Sequence, residues 1–574
     1  MTIIAVLVLQ MVVSPPVLAT SGPGIAPEGR LSSGGPSIPL APGANFPTYL
    51  GSPTRTSNST GEQLINSSDV SDLRTLWRFT SGASAAPQPI AVNGIVYEGS
   101  WTGYEYALYA TNGTVLWKTF LGHGGNEGSI GITSTASWDD GTLYVGGGNS
   151  TLYGLNASTG AILWSTLVGA KGQNYYIWTS PLINGKFVYL GVDSFFDSPL
   201  VGSGLNQYDR SNGTLVHSFN TSVPFVNGSG IWSSPSLSGS TIFVTTGNPP
   251  GQTPGNYSES VLSFNDASLT YLHQYQVNRS QFITDGDFGA TPTAFSVPTA
   301  HGAVPMVAAA NKNGILYAWY QSNLTLSWSI RVANSGNDTI ISTAWNGHDL
   351  YDIGPGVSVD GAPYNGSVRA LDPLTGRTIW QVGLPQPWSA DQYGAPLCFN
   401  GLVVVPDNHV IYFLNATTGT LLFQYKAVNT VMAAVSVSRG ELYLGLAGGK
   451  IIALDLRLSS TATASHRSGP GSVAFQVSPT GGLPRYSFAW NFGDGSTSQL
   501  QKPSHVYLTS GTYHVSVTVT DLAGTVSTDH LSVVVTSGAA SVRSPGLSVT
   551  ATGPEADPGP VVPPALLLAR HLER

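Results

Sequence analysis

The stretch Thr151–Gly169, TLYGLNASTGAILWSTLVG, decides the fold. Its apolar residues flank the polar turn Asn156-Ala-Ser-Thr-Gly160, which predicts a β-hairpin. A lone hairpin is marginally stable in water because it cannot bury its own apolar face. The stretch therefore predicts that similar hairpins pack beside it.

The same turn, followed by an aromatic residue or a histidine, recurs along the chain at intervals of 43 to 56 residues. Two further strand-like runs precede each hairpin, which gives a unit of four strands, named a to d. Units of about 40–50 residues with several short strands are typical of propeller blades. The aromatic or histidine positions are Trp117, Trp164, His217, His273, Trp328, Trp380 and Phe423.

The last unit, 433–457, supplies strands a, b and c but lacks strand d. The run DLRTLWRF at 72–79 supplies the missing strand and places Trp77 at the aromatic position. An N-terminal strand that completes the last blade closes the ring and removes two exposed sheet edges. The sequence therefore predicts an all-β fold with an eight-bladed propeller over 72–457.

Composition narrows the class of protein. The chain has 574 residues, of which only 9% are charged, and it contains 68 glycines, which is typical of a turn-rich β-protein. The net charge is −8 and no basic run occurs, which excludes a nucleic-acid partner. The single cysteine, Cys398, cannot form an internal disulfide, and its place in a strand a predicts a buried, inert thiol.

The two ends differ in composition from the repeats. Residues 1–19 are apolar and end in Val-Leu-Ala, which predicts a signal peptide, although an uncleaved anchor is the alternative because Lys and Arg are missing. Residues 20–70 are rich in Gly, Ser and Pro and predict a linker, and 537–574 predict a disordered Pro/Ala/Gly-rich tail. No later stretch has the length of a transmembrane helix. We expect a secreted or cell-surface protein.

Sequons of the form Asn-x-Ser/Thr are frequent, and several fall on the turns between strands c and d. This position favours a surface glycoprotein, but Asn, Gly, Ser and Thr are also ordinary turn residues, and both interpretations can hold together. The candidate glycosylation sites are Asn112, Asn156, Asn212, Asn323 and Asn415.

A second module follows a short polar link over 458–470. Its apolar residues alternate with period two, as at Val515, Val517 and Val519, which predicts a small β-sandwich over 471–536. The run Trp490-Asn-Phe-Gly-Asp-Gly495, with His505 and Tyr507, resembles the PKD domain. The resemblance implies an extracellular spacer or adhesion module with no chemistry of its own.

The blade motif A-L-D-x-x-T-G-x-x-W at Ala370–Trp380 resembles the quinoprotein repeat over 72–457. Dehydrogenases of that family bind pyrroloquinoline quinone (PQQ) and Ca²⁺ over a tryptophan floor near one end of the channel. Their site residues follow a fixed order, and this chain has matching residues in that order. The resemblance implies metal ligands at Asp197 and Asn248, a PQQ floor at Trp232, a catalytic base at Asp287 and a PQQ contact at Lys312.

Blade connectivity places these residues on one side of the ring. Asp197, Asn248 and Lys312 fall in loops between strands b and c, and Asp287 falls between strand d and the next strand a. In a four-stranded blade these two kinds of loop share one face. In the implied reaction Asp287 takes the alcohol proton while hydride passes to the quinone, and Lys312 steadies the quinone oxygens.

Purely structural roles are the alternative for the same residues. Ser-x-Pro openings recur in other blades, so Trp232 can serve blade packing, and Lys312-Asn-Gly and Asn248 before Pro suit tight turns. Asp197 is shorter than the family's glutamate, and the adjacent cysteine pair common in these enzymes is impossible with one cysteine. Two functions therefore stay open. One is a surface propeller that binds an unknown ligand, glycan or protein on the b–c/d–a face. The other is a PQQ- and Ca²⁺-dependent alcohol dehydrogenase, so the sequence leaves open whether the chain is an enzyme.

Overall fold

The computed structural model of the chain describes most residues between 45 and 543. The signal peptide predicted for 1–19, the first part of the predicted linker, Asp197 and the tail beyond 543 lie outside the described residues. The described ranges are 45–124, 130–170, 173–195, 199–222, 228–249, 256–283, 285–333, 339–387, 394–483, 485–522, 524–536 and 539–543.

Strands dominate the described residues, and their helices are the three short 3-10 turns Tyr49–Gly51, Val70–Asp72 and Arg279–Gln281. No helix in this part of the chain is long and apolar enough to cross a membrane.

Eight antiparallel sheets with the order a-b-c-d are present in the described chain, and each is called a blade below. A fifth short strand, Tyr175–Tyr176, pairs with strand b of the third sheet. From strand a to strand d the sheets are: blade 1, Ile90–Val92, Ile95–Gly99, Tyr104–Tyr109, Val115–Phe120; blade 2, Ser137–Asp139, Thr142–Gly146, Thr151–Asn156, Ile162–Leu167; blade 3, Leu182–Asn184, Phe187–Ser194, Gly204–Asp209, Leu215–Asn220; blade 4, Ser236–Ser238, Thr241–Thr245, Ser260–Asn265, Tyr271–Gln276; blade 5, Thr293–Val297, Val304–Asn311, Ile315–Tyr320, Leu326–Arg331; blade 6, Ala344–Trp345, Leu350–Val359, Ala362–Leu371, Thr378–Leu384; blade 7, Leu397–Phe399, Leu402–Asp407, Val410–Asn415, Leu421–Lys426; blade 8, Ser436–Ser438, Glu441–Gly445, Lys450–Leu456, Leu73–Thr80.

The last sheet is completed by a strand from the N-terminal side. Leu73–Thr80 pairs antiparallel with Lys450–Leu456, so that Leu73 lies opposite Leu456 and Thr80 opposite Lys450. This pairing covers an edge that would otherwise present unpaired backbone groups. The all-β propeller expected from the sequence is confirmed.

Five tryptophans of the repeat each dock one blade on the next one. Each indole N–H donates to a backbone carbonyl in the neighbouring c–d turn. The glycine of that turn has positive φ, as at Gly376 (φ +71°), and its missing side chain leaves room for Trp328. The Thr-Gly turn and the tryptophan of the repeat are thus two halves of one contact. The bonds are Trp77 to Ala110 (2.5 Å), Trp117 to Ala157 (2.9 Å), Trp164 to Arg210 (3.0 Å), Trp328 to Pro373 (2.9 Å) and Trp380 to Ala416 (3.0 Å).

Residues 46–62, here called the inner segment, differ from the linker expected over 20–70. The segment runs along the strands a of successive blades, and its carbonyls accept their edge N–H groups. Composition alone cannot reveal this role, because the free edges of strands a exist only once the blades have formed. The bonds are Trp138 N to Pro47 O (2.8 Å), Leu237 N to Pro53 O (2.8 Å), Ala294 N to Thr54 O (2.9 Å), Trp345 N to Thr56 O (2.8 Å) and Cys398 N to Ser57 O (2.8 Å).

Arg55 anchors the inner segment and is fully buried. Its guanidinium donates to Pro235 O (2.9 Å), Pro181 O (3.1 Å), Tyr49 O (2.7 Å) and Thr48 Oγ1 (2.8 Å). These described partners are all neutral, and burial lowers the pKa of Arg55 to about 9. One side chain thus ties the segment to the residues that precede strands a of blades 3 and 4.

The second module is a two-sheet sandwich with its own core, which includes Trp490 and Val517. It begins earlier than expected, because the predicted link over 458–470 contains the strand Ser459–His466, paired with Ser472–Thr480. It also ends later, since Ala539–Arg543 adds a strand within the predicted tail. Both additions are edge strands, and their small residues, mostly Ser, Thr and Ala, give only a weak period-two signal. The remaining strands are Ser487–Asn491, Thr497–Ser498, Ser504–Val506, Gly511–Thr520 and Val526–Thr536.

The five candidate glycosylation asparagines all shape the c–d turns. In each, Oδ1 accepts the backbone N–H two residues later, at 2.8–3.0 Å. This bond is the Asx turn that the structural interpretation expects. It involves Oδ1, whereas a glycan is attached at Nδ2, so glycosylation stays a prediction beside the turn role.

Candidate functional site

Four connections meet on the b–c/d–a face of blades 3 to 5. They are the loop entering strand a of blade 4, the b–c loop of blade 4, the loop entering strand a of blade 5, and the b–c turn of blade 5. Backbone hydrogen bonds join them and fix the side chains that they carry. The bonds are Gly247 N to Gly230 O (2.7 Å), Ser229 N to Asn248 O (2.7 Å), Phe288 N to Thr246 O (3.3 Å) and Lys312 N to Asp287 O (3.1 Å).

Lys312 lies at the centre of a compact polar group. Its Nζ is 2.8 Å from Asp285 Oδ1 and 2.7 Å from Asp287 Oδ1, and it lies 5.1 Å from the centroid of the Trp232 ring. The Trp232 indole N–H donates to Asp287 Oδ2 at 2.8 Å. Asn248 Nδ2 donates to Asp285 Oδ1 at 2.6 Å. We call Trp232, Asn248, Asp285, Asp287 and Lys312 the Lys312 cluster.

The structure therefore brings together four of the five residues singled out from the sequence. Trp232, Asn248, Asp287 and Lys312 lie in one cluster, although they come from blades 4 and 5 and the loops between blades 3, 4 and 5. Asp197 lies outside the described residues, so its position relative to the cluster stays a prediction.

The charges in the cluster depend on one another. Burial opposes the charge on Lys312, but Asp287 and Asp285 outweigh it and raise the pKa of the ammonium. Burial likewise opposes the charge on Asp285, but hydrogen bonds from Asn248 and Lys312 outweigh it and lower the pKa of that carboxyl. At Asp287 burial prevails over Lys312, and the pKa of the carboxyl is raised. Two aspartates of unlike proton affinity thus share one ammonium group.

Glu259 and Asp285 are acidic residues that sequence reasoning missed. Glu259 is buried at the end of the b–c loop of blade 4, and its Oε2 has no hydrogen-bond partner among the described residues. Burial, then the nearby Asp287 and Asp285, raise the pKa of Glu259 to about 7. Asp285 could have been found, because it stands in the same Asp-Gly-Asp run as Asp287. Glu259 carries no comparable signal in the sequence.

Asp193 is a further carboxylate near this face. Its side chain lies against Gly230, where any Cβ atom would overlap the carboxylate. Gly230 in turn accepts the N–H of Gly247, next to Asn248. Asp193 lies at the end of strand b of blade 3, just before the b–c loop that contains Asp197, so this blade places at least one described carboxylate beside the loops of the cluster.

The donor set of the cluster fits a planar anion better than a metal ion. Trp232 is partly exposed and offers an aromatic surface, and Lys312 offers a cation. The described residues hold no group of three or more His, Cys, Asp or Glu side chains arranged to bind a metal. Lys312 itself occupies the position of a cation between Asp285 and Asp287. A metal site here therefore requires a ligand outside the described residues, such as Asp197.

Comparison with known structures gives neighbours of the same fold. A quinohemoprotein alcohol dehydrogenase from Pseudomonas putida matches with a TM-score of 0.62 at 16% identity, over 72% of this chain and 80% of that one. The corresponding enzyme from Comamonas testosteroni matches with a TM-score of 0.60 at 17% identity, with the same coverage. A europium-containing methanol dehydrogenase matches with a TM-score of 0.60 at 15% identity, over 72% of this chain and 98% of that one. At these identities the likeness shows the fold alone.

Curated relatives match over short stretches. Outer membrane protein assembly factor BamB of Nitrosomonas eutropha is 34% identical over 99 residues, 16% of this chain and 23% of that protein. Collagenase ColA of Bacillus cereus is 54% identical over 41 residues, 7% of this chain and 4% of that protein. The chain thus spans less than a quarter of the length of either relative.

Family comparisons cover much more of the chain. Residues 460–535 match the PKD domain. Residues 62–331 and 364–482, well over half of the chain, match the family described as outer membrane protein assembly factor BamB, which shares the PQQ-like repeat. The chain therefore belongs to this family of PQQ-like propellers and carries a PKD domain after the propeller.

Proposed function

We propose that the propeller binds a planar anionic cofactor at the Lys312 cluster, namely PQQ, and acts as a PQQ-dependent alcohol dehydrogenase. The observation that carries the proposal is the ammonium of Lys312, held between Asp285 and Asp287 beside a partly exposed tryptophan. A propeller blade needs no such group for packing, and clustered groups of shifted pKa are typical of functional sites. Three neighbours of the same fold are alcohol or methanol dehydrogenases by name, which supports the choice of cofactor.

Each side chain of the cluster has a role in this proposal. When bound, PQQ supplies the two-electron acceptor for alcohol oxidation. Asp287 accepts the proton of the alcohol hydroxyl, and burial, which raises its pKa, makes its carboxylate a stronger proton acceptor. The indole N–H of Trp232 fixes Asp287 Oδ2, and Lys312 neutralises the carboxylate between proton transfers. Asn248 and Asp197 are the proposed Ca²⁺ ligands, because calcium prefers hard oxygen donors.

Binding is tested first, on the purified full chain. PQQ is titrated with millimolar Ca²⁺, with Eu³⁺, or with chelator, and binding is followed by quenching of tryptophan fluorescence. We expect saturable binding that requires metal, and Trp232→Ala should weaken it at least tenfold by removing the stacking surface. Trp178→Ala is the matched control, because Trp178 opens blade 3 in the equivalent Ile-Trp-x-Ser-Pro context but donates to Ser194 O (2.9 Å).

Turnover is tested with an alcohol and an artificial electron acceptor. Asp287→Asn should retain PQQ and lose at least 100-fold in kcat, because it removes the proton acceptor and keeps the shape of the side chain. A folded wild-type chain that binds no PQQ with either metal would refute the dehydrogenase.

Non-catalytic ligand binding at the same face is the second candidate function. The PKD domain favours it and is the reason to place the chain outside the cell, and short stretches of the chain also match two collagenases, from Bacillus cereus and Vibrio alginolyticus. In that case the PKD domain serves as spacer or adhesion module. This function would be selected if the wild-type chain binds glycans on a glycan array, the Lys312→Met variant does not, and the wild-type chain binds no PQQ.

A further inference from the structure

Blade 6 carries a buried charged pair where five of the other blades are apolar or carry tyrosine, and where blades 1 and 3 have Glu98–Tyr106 and Leu190–Asn206. The docking tryptophan of blade 6, Trp380, lies opposite Ala370. One residue further along the strands, Asp352 of strand b pairs with Arg369 of strand c, and Arg369 pairs with Gln381 of strand d. Both charged side chains are buried, with Arg369 only 3% exposed. The corresponding b–c pairs in five other blades are Val145–Tyr153, Val244–Leu262, Ala309–Tyr317, Val405–Tyr412 and Leu444–Ile452.

This pair leaves hydrogen-bonding capacity unused. Arg369 Nη1 is 3.9 Å from Asp352 Oδ2, too far for a hydrogen bond, and Arg369 Nη2 donates to Ser367 Oγ at 2.5 Å. Arg369 Nε and both oxygens of Asp352 have no hydrogen-bond partner among the described residues. A buried guanidinium with an unused N–H is costly unless something completes its hydrogen bonds.

A cavity of about 180 Å³ lies beside Arg369, between the last strand of blade 5 and the sheet of blade 6. Arg331 of blade 5 also lines it and donates to the carbonyls of Asn313 (3.2 Å) and Ala333 (3.3 Å). Ser358, Thr378 and Gln381 add neutral polar groups to the wall. In the described part of the chain no carboxylate is among the residues that line the cavity.

We propose that this cavity between blades 5 and 6 binds a small oxyanion, held by the guanidinium groups of Arg369 and Arg331. Two guanidiniums on a polar wall are the usual partners of phosphate, sulfate and carboxylate groups, because their N–H groups match pairs of oxygens. The cavity volume exceeds that of several waters at about 30 Å³ each, so it accommodates such a group with its hydration. The site shares no residue with the Lys312 cluster, although Arg331 contacts the carbonyl of Asn313 next to Lys312, and it does not depend on PQQ.

The source of the oxyanion is either a free inorganic ion or the acidic group of a sugar. Calorimetric titration of the full chain with phosphate, sulfate and glucuronate, each against chloride at equal ionic strength, separates the two. Binding of phosphate or sulfate indicates a free ion, and binding of glucuronate alone indicates a carboxylate sugar. Absence of saturable binding of all three probes up to about 10 mM refutes the site.

Variants identify the cavity as the place of binding. Arg331→Gln changes an exposed residue and should weaken binding at least tenfold without unfolding the chain. Arg369→Lys keeps the charge and loses the forked donor, and should weaken binding to a similar degree. Arg377→Gln is the matched control, because Arg377 is exposed at the c–d turn of the same blade, outside the cavity. Equal affinity in Arg331→Gln and in wild type would overturn the proposal, because the cavity would then not hold the ion.

Discussion

Replacing Arg55 by methionine should detach the inner segment from the blades. The substitution keeps much of the side-chain volume but removes four hydrogen bonds, three of them to the backbone carbonyls of Tyr49, Pro181 and Pro235. A buried acceptor that loses its partner costs about 1–3 kcal/mol. Three such carbonyls therefore destabilise the segment by about 3 kcal/mol at the lower limit.

The reactivity of the Cys398 thiol measures this destabilisation of the inner segment directly. Cys398 is the single cysteine of the chain, is buried, and is bonded on both sides to the inner segment, through Ser57 O (2.8 Å) and Ser59 N (2.9 Å). A thiol reagent reacts with it only when the segment opens, and the reaction rate follows the free energy of that opening. A loss of about 3 kcal/mol corresponds to a rate increase of about 100-fold, since 1.4 kcal/mol is a factor of ten.

The assay compares the labelling rate of Arg55→Met with wild type and with Arg377→Met, which changes an exposed arginine of the c–d turn of blade 6. We expect the control to label as slowly as wild type. If Arg55→Met also labels at the wild-type rate, the carbonyl bonds of Arg55 do not hold the segment, and the reasoning fails.

Two further predictions concern acidity and packing. The pKa of Glu259 is raised to about 7 in the folded chain from 4.5, so the folded chain binds this proton more tightly than the unfolded chain. The free energy of unfolding should therefore decrease as pH rises from 4.5 through 7, by up to about 3 kcal/mol from this residue. Denaturant titrations at pH 4.5 and 8 should show a smaller decrease in Glu259→Gln than in wild type or in the exposed-residue control Asp360→Asn, and equal decreases would contradict the assignment. Gly376 (φ +71°) faces Trp328, whereas Gly361 (φ +78°) faces open space. Alanine should cost about 1 kcal/mol at Gly361 through backbone strain, and about 1–3 kcal/mol more at Gly376 through overlap with the ring. Denaturation midpoints that shift equally would show that the turn does not dock on Trp328.

The sequence was sufficient for the propeller because its determinants are local and repeated. Each c–d hairpin carries its own period-two strands, its turn and its aromatic or histidine residue. The pattern of one hairpin, such as Thr151–Gly169, is therefore enough to find the others in the sequence. The missing strand of the last unit then predicted the pairing of Leu73–Thr80 with Lys450–Leu456. The PKD core was equally visible, because alternation at Val515, Val517 and Val519 marks a half-buried strand.

The sequence also predicted that the candidate residues share one face. Blade connectivity alone puts b–c and d–a loops on one side, and four of the five residues selected by resemblance lie in one cluster there. The bonds inside the cluster did not follow from the sequence. Glu259 was missed because its carboxyl acquires its raised pKa from burial and from Asp287 and Asp285, which lie in another loop.

Tertiary structure alone decided the role of the inner segment. Residues 46–62 have the composition of a linker, and their carbonyls find partners only at the free edges of strands a. Those edges belong to blades that are distant in the chain, such as blade 2 at Trp138 and blade 7 at Cys398. The charged pair of blade 6 is of the same kind, since the cavity beside Arg369 exists only where two blades meet. Local patterns determine a repeated unit, whereas contacts between distant units depend on the closed ring, which a linear pattern does not contain.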